Sequence, residues 1–195
     1  LAAADAVLAA AVDGRDLEKG YVNNGGDIAF HLAPGAYLAA GVVADLEHWG
    51  LSGKTRLHHD MAIRGIATSG WRGRSQSLGI ADAVTVLAST AAQADAAATM
   101  IANRVDIDIP GIERVPANSL DPDSDLGALA VTVAVPELSE GARRAALLAG
   151  LDRARGLHSQ GIIAGAMLSL GDQAATVGAL TAETLQDLKD GENRL

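Results

Sequence analysis

The stretch DAVTVLASTAAQADAAATMI, Asp82 to Ile101, decides the fold. Its first half is built around β-branched residues, as a strand packed in a sheet is. Ser89 and Thr90 are helix N-cap residue types, and alanine dominates the residues after them, which predicts a helix over about 91–104. Within that helix Asp95 and Thr99 fall on one face, one turn apart. Apolar residues surround the helix on nearly every side, so most of its surface should be covered. No lysine or arginine stands three or four residues from Asp95. A covered carboxylate costs several kcal/mol unless it is paired or holds a metal. Carboxylate and hydroxyl together are hard oxygen donors that suit Mg²⁺, which also takes phosphate oxygens and water. The plainer alternative is a solvent-facing acid beside a threonine that bonds back to a carbonyl.

Working outward, MAIRGIATSG supplies a strand before DAVTVLA, with the glycine- and arginine-rich WRGRSQSLG between them. Earlier, YVNNGGDIAFHL and AYLAAGVVADL read as two strands joined in a hairpin by the turn APG. Residues 1 to about 12 read as a helix, closed by VDGRDLEKG. Residues 106–128, rich in proline and aspartate, read as a loop and the one sizeable candidate linker. Beyond it LAVTVAVPELS echoes DAVTVLAST. A second helix over about 139–158 comes next, then GIIAGAMLSLGDQAATVG, a hairpin with a glycine turn. The echo suggests an internal duplication, with lobes over 1–105 and 128–195, in which the second helix keeps no acid/hydroxyl pair. Strands in hairpins with returning helices favour an α+β fold, antiparallel sheets packed with helices, over a doubly wound one.

With 195 residues, a single domain is expected. Apolar residues make up 49% but aromatics only 3%, so the core must be aliphatic, with small residues allowing helices close to the sheet. A net charge of −9 argues against nucleic-acid binding, which needs a surplus of lysine and arginine. The chain has no cysteine, which excludes disulfides, thiolate metal sites and a thiol nucleophile. No apolar run reaches the roughly 18 residues of a membrane span. LAAADAVLAAAV is too short for a signal peptide, contains Asp5 and lacks a basic flank. A cytoplasmic location is therefore the default expectation. Because the sequence starts at Leu1, an upstream segment is expected to have been removed or left out. Whether copies of the chain associate stays open.

Two further stretches carry candidate binding residues. In NNGGDIAF, Gly25 and Gly26 permit a backbone bulge or the approach of a ligand to the main chain, and Asn24 and Asp27 either hold a ligand edge or stabilise the turn. ATSGWRGRSQS gathers Thr68, Ser69, Gly70, Arg72, Arg74 and Ser75 in an otherwise acidic chain, as a local anion site or a solvated basic loop. Trp71 either covers a flat ligand ring or caps the core edge. DPDSDLG fails as a calcium loop: Leu126 occupies the glycine slot and Thr132 the twelfth position. His58 and His59 are adjacent, on opposite faces of any strand, and do not suit one metal. No nucleophile elbow or catalytic triad order is present.

Taken in order, YVNNGGDIAF, IATSGW and AVTVLASTAAQADAAATMI resemble the ApbE family of FAD:protein FMN transferases, over about residues 1–178. The resemblance implies a T-fold-like architecture and Mg²⁺-assisted handling of FAD. The FAD pyrophosphate would be split and FMN attached to a threonine or serine of an acceptor flavoprotein. By position, Asp95 and Thr99 match the family's metal-binding step. Asn24, Gly25, Gly26 and Asp27 match its GGD strand, and Thr68, Ser69 and Gly70 its TSG turn. Trp71 and Arg72 replace the acid and tyrosine usual after that turn. The family's His-Ile-Ile-Asp-Pro stretch has only SQSLGIAD in its place. The first expectation is therefore a Mg²⁺-dependent transferase of this kind; the departures open the alternative of a module that binds a flavin or another phosphorylated ligand without turning it over.

Overall fold

The computed structural model describes residues 3–45, 50–73 and 76–180. Helix α1 (Ala3–Val12) leads into a hairpin of β1 (Lys19–Asn24) and β2 (Asp27–Leu32). A two-stranded ribbon of β3 (Tyr37–Asp45) and β4 (Gly50–His58) follows, then β5 (Gly65–Ser69), β6 (Ala83–Ala88) and helix α2 (Ala91–Ala102). Strand β7 (Glu113–Pro116), the single-turn helix α3 (Ala117–Leu120) and β8 (Ala130–Ala134) form a small excursion. Helix α4 (Glu140–Ser159) then returns the chain to β9 (Gly165–Leu170) and β10 (Gln173–Gly178). The protein is thus a mixed α+β structure with antiparallel sheets.

Six strands form the main sheet, in the order β1-β2-β5-β6-β9-β10, with every neighbouring pair antiparallel. Alternation along each strand sends side chains to the two faces in turn. Val84, Val86, Ala166 and Leu168 face α2 and α4, where they close the larger core with Ala94, Ala98, Ile101, Ala146 and Leu157. Phe30, Ile66, Leu87 and Met167 face the other way and pack with Leu57 of the ribbon. Strand β6 is buried at all six positions because both its faces are covered, which is why its sequence runs apolar instead of alternating with charge.

Five of the six buried residues of α2 are alanines, and the helix lies close on β5 as a result. At Gly65 the contact tightens further: a Cβ there would stand 2.1 Å from the Thr90 carbonyl carbon. The N-terminus of α2 therefore sits over the start of β5, and helix and strand run in the same direction. Thr90 caps the helix through the Gln93 amide, as the sequence predicts. A second cap comes from far away in the chain. The Asp5 carboxylate on α1 accepts from the Ala91 and Ala92 amides at 3.0 and 2.9 Å.

Three sequence expectations need correction. The first hairpin is not YVNNGGDIAFHL against AYLAAGVVADL: β1 and β2 both lie within the former, and APG links β2 to a different sheet. The Asn24↔Asp27 register closes that hairpin around Gly25 and Gly26 alone. Strand β4 was not expected, since its glycines and charged residues give no apolar alternation; its pairing with β3 and the burial of Leu57 in the core hold it. Residues 106–128 are not an unstructured linker, because β7 pairs with β8 and Arg114 ties the segment down through Asp106 and the Leu78 carbonyl.

Candidate functional site

The two glycines of NNGGD lie at φ 69° and 114°, both in the region where glycine is favoured. A two-residue loop with positive φ at both positions is the tight turn whose twist suits an antiparallel hairpin. Asn23 supports it by accepting from the Gly26 amide at 3.0 Å. The glycines thus make a turn, not a bulge, and the turn delivers Asp27 to the first position of β2.

From there the register decides where Asp27 points. Ala29, two residues on and on the same face, packs against Ala4 and Ala91 in a small cluster under α1 and α2. Asp95 lies one helical turn beyond Ala91. Strand β2 runs antiparallel to β5, while α2 runs parallel to it. Going back from Ala29 to Asp27 and forward from Ala91 to Asp95 therefore leads the same way, and the two carboxylates meet between sheet and helix. Both are half-buried. Burial raises the pKa of each, and the Asp95 charge raises Asp27 further, to about 6. Asp95 Oδ2 is buried with no hydrogen-bond partner among the described residues.

The remaining sequence candidates divide around this pair. Thr99 is one turn past Asp95 on the same side of α2 and is exposed. Asn24, Gly25 and Gly26 are exposed in the turn beside Asp27. Ser69 is buried on the helix face of β5, the face that Ala67 shares with α2. Thr68 is on the opposite face, bonded to the Thr85 hydroxyl at 2.9 Å, so strand alternation splits the TSG turn between two sides of the sheet. Gly70 is required by packing: a Cβ there would lie 2.3 Å from the Asp82 carbonyl oxygen.

Arg72 does not join the carboxylates. Its Nε donates to Asp82 Oδ1 at 2.8 Å and its guanidinium lies 4.8 Å from the Trp71 ring centre. Arg74 and Ser75, the rest of the expected anion site, lie outside the described residues. His58 and His59 part as their adjacency predicts: His58 lies beside Tyr37, whereas His59 Nδ1 meets the Leu32 carbonyl. In the DPDSDLG loop the Asp123 amide donates to Asp121, an Asx turn.

Asp82 was missed from the sequence. Its buried carboxylate accepts from Trp71, Arg72 and the Gly171 amide, which gathers three segments at one end of the sheet. No local pattern marks it, because its partners are 10 and 11 residues away on one side and 89 on the other.

Among the described residues, no group of three or more histidine, cysteine, aspartate or glutamate side chains could hold a metal. A cation at the Asp27–Asp95 pair would have two carboxylates and complete its shell with hydroxyl, ligand and water oxygens. That donor set suits Mg²⁺, which uses one or two carboxylates and retains waters. It does not suit zinc, which prefers nitrogen and sulfur donors.

Fold and site together define an α+β protein with a carboxylate pair lodged between a helix and the sheet. The chain belongs to the family described as AbpE bacteria, whose model matches residues 2–180. No curated protein matches it. The family match overturns the resemblance to the ApbE transferases: the family is AbpE, not ApbE, and nothing in the match links the chain to FAD:protein FMN transfer. Among the described residues, no helix is long and apolar enough to cross a membrane.

Proposed function

We propose that this chain is a binding module that holds a phosphorylated small molecule through Mg²⁺ at Asp27 and Asp95, with the Thr99 hydroxyl as a further oxygen donor. The observation that carries the reading is the buried, unpartnered Asp95 Oδ2 beside a second carboxylate. Two half-buried acids with no basic side chain beside them among the described residues repel each other, the chain's amino terminus offsets this only in part, and a divalent cation would relieve both the repulsion and the lost hydration. At the exposed turn, no atom of the described residues beyond the adjacent ones would lie within 4 Å of a Cβ placed on Gly25 or Gly26, which leaves room for a ligand to approach there. A flavin nucleotide is one carrier of the required phosphate.

Two wider features belong to the same reading. A T-fold-like, internally duplicated architecture draws support from the recurrence of strand, cap and helix in β6–α2 and β8–α4, with Thr90 and Ser139 as the capping residues. A cytoplasmic location accords with a nucleotide-type ligand.

Calorimetric titration of the purified chain with MgCl₂, and then with FAD, ADP or inorganic phosphate, tests the proposal. Ligand uptake should require Mg²⁺, disappear in Asp95→Ala, and return the ligand intact. Binding of none of the three refutes it, and so does binding indifferent to Mg²⁺. Release of AMP from FAD would replace a binding module with a catalyst.

A further inference from the structure

A cavity of about 260 Å³ opens where β9 turns into β10, lined by Trp71, Arg72, Asp82, Glu137, Leu138 and Arg143 among others. Its walls are already framed. Asp82 spends its oxygens on the Trp71 indole N–H, Arg72 Nε and the Gly171 amide, so its charge orients the wall and is matched there. Arg143 is different. Its side chain is only 22% exposed, and Nη1 donates to the Leu138 carbonyl at 2.9 Å. Nε lies 3.2 Å from an Asp172 oxygen, but the pair does not align as a hydrogen bond, and Nε is buried without an acceptor. Asp172 is 77% exposed, so water screens its charge.

We propose that this cavity binds a small organic anion, an oxyanion head on a flat apolar body, with Arg143 gripping the head and Trp71 and Leu138 covering the body. A partly buried guanidinium lacking a well-aligned acid is the group that a planar oxyanion completes, since it accepts two parallel N–H bonds. Val135, Pro136 and Leu170 line the cavity beside the charged groups and favour an anion that carries an apolar body over a bare inorganic ion. The volume falls below the roughly 300–1,000 Å³ of sites for drug-sized ligands, which limits the body to about one ring. Neither Asp27 nor Asp95 lines this cavity, so the inference stands apart from the cation site.

The chain contains two tryptophans, so Trp49→Phe leaves Trp71 as the sole indole reporter. In this background, with EDTA present, benzoate and phenyl phosphate serve as probes and phenol as the neutral control. The expected result is a saturable change in Trp71 fluorescence with at least one anionic probe and none with phenol. The probe that binds identifies the head group. Arg143→Gln should weaken binding about tenfold or more, Arg143→Lys should weaken it less, and Asp95→Asn should leave it unchanged. Arg143→Lys keeps the test decisive if the glutamine variant fails to fold. No saturable response to either anion up to about 10 mM overturns the proposal. So does unchanged affinity in a folded Arg143 variant, while loss of binding in Asp95→Asn would merge the cavity with the cation site and overturn its independence.

Discussion

Asp27→Asn should make the metal-free protein more stable at neutral pH, although it removes a residue proposed to bind. The Asp27 pKa is raised from 3.8 to about 6, first by burial and then by the Asp95 charge. A carboxyl raised in this way binds protons more tightly in the folded state than in the unfolded one. Its favourable contribution is complete below pH 3.8 and is lost as pH climbs through about 6. At about 1.4 kcal/mol per pH unit the loss has a ceiling of about 3 kcal/mol. Because the group is only half-buried, solvent screening reduces this to about 1–2 kcal/mol. For a chain of this size, 1 kcal/mol corresponds to about 2–4 °C in melting temperature, so the variant should melt about 2–8 °C higher at pH 7. Thermal melts followed by circular dichroism in EDTA, from pH 3.5 to 7.5, measure the difference between the two proteins, in which most other titrations cancel. The gap should be small at the acid end and open between pH 4 and 6. Saturating Mg²⁺ should narrow it by stabilising only the wild type, by about 2.7 kcal/mol at a hundredfold excess over the dissociation constant. A variant that melts at or below the wild type at pH 7 in EDTA would refute the placement of Asp27 beside Asp95.

Two further substitutions test the frame that positions the pair. Asp5→Ala removes the carboxylate accepting from the Ala91 and Ala92 amides and should cost about 1–2 kcal/mol, read as a lower urea midpoint with an unchanged slope. Gly65→Ala would press a Cβ to 2.1 Å from Thr90 backbone atoms that cannot turn aside, so helix and strand must part. A loss of about 3 kcal/mol, or about 6–12 °C in melting temperature, is expected, and a variant melting within a degree of the wild type would contradict the contact.

A carboxylate pair that weakened the fold at neutral pH would be consistent with the proposed binding site standing without its ligand. The same geometry explains why the proposed site lies at the β1–β2 turn. There the start of β2 places an acid beside α2, two residues before the alanine that joins the α1–α2 cluster.

The sequence by itself determined the elements whose signals are local. Thr90 and the alanine run give α2, the buried apolar run gives β6, and the glycine at residue 171, at φ 59°, gives the β9–β10 turn. The i, i+4 relation of Asp95 and Thr99 is likewise a property of the helix alone. Only the tertiary structure decided that Asp27, distant in the chain, faces Asp95, that Asp5 caps a helix 86 residues away, and that Asp82 binds three segments together. It also decided that Thr68 and Ser69 part to opposite faces, and that a polar stretch such as 50–58 becomes a strand. Periodicity and caps record how a residue meets its near neighbours. Register between strands, and the direction in which a helix crosses them, arise from burying distant apolar faces together, and no local spacing encodes them.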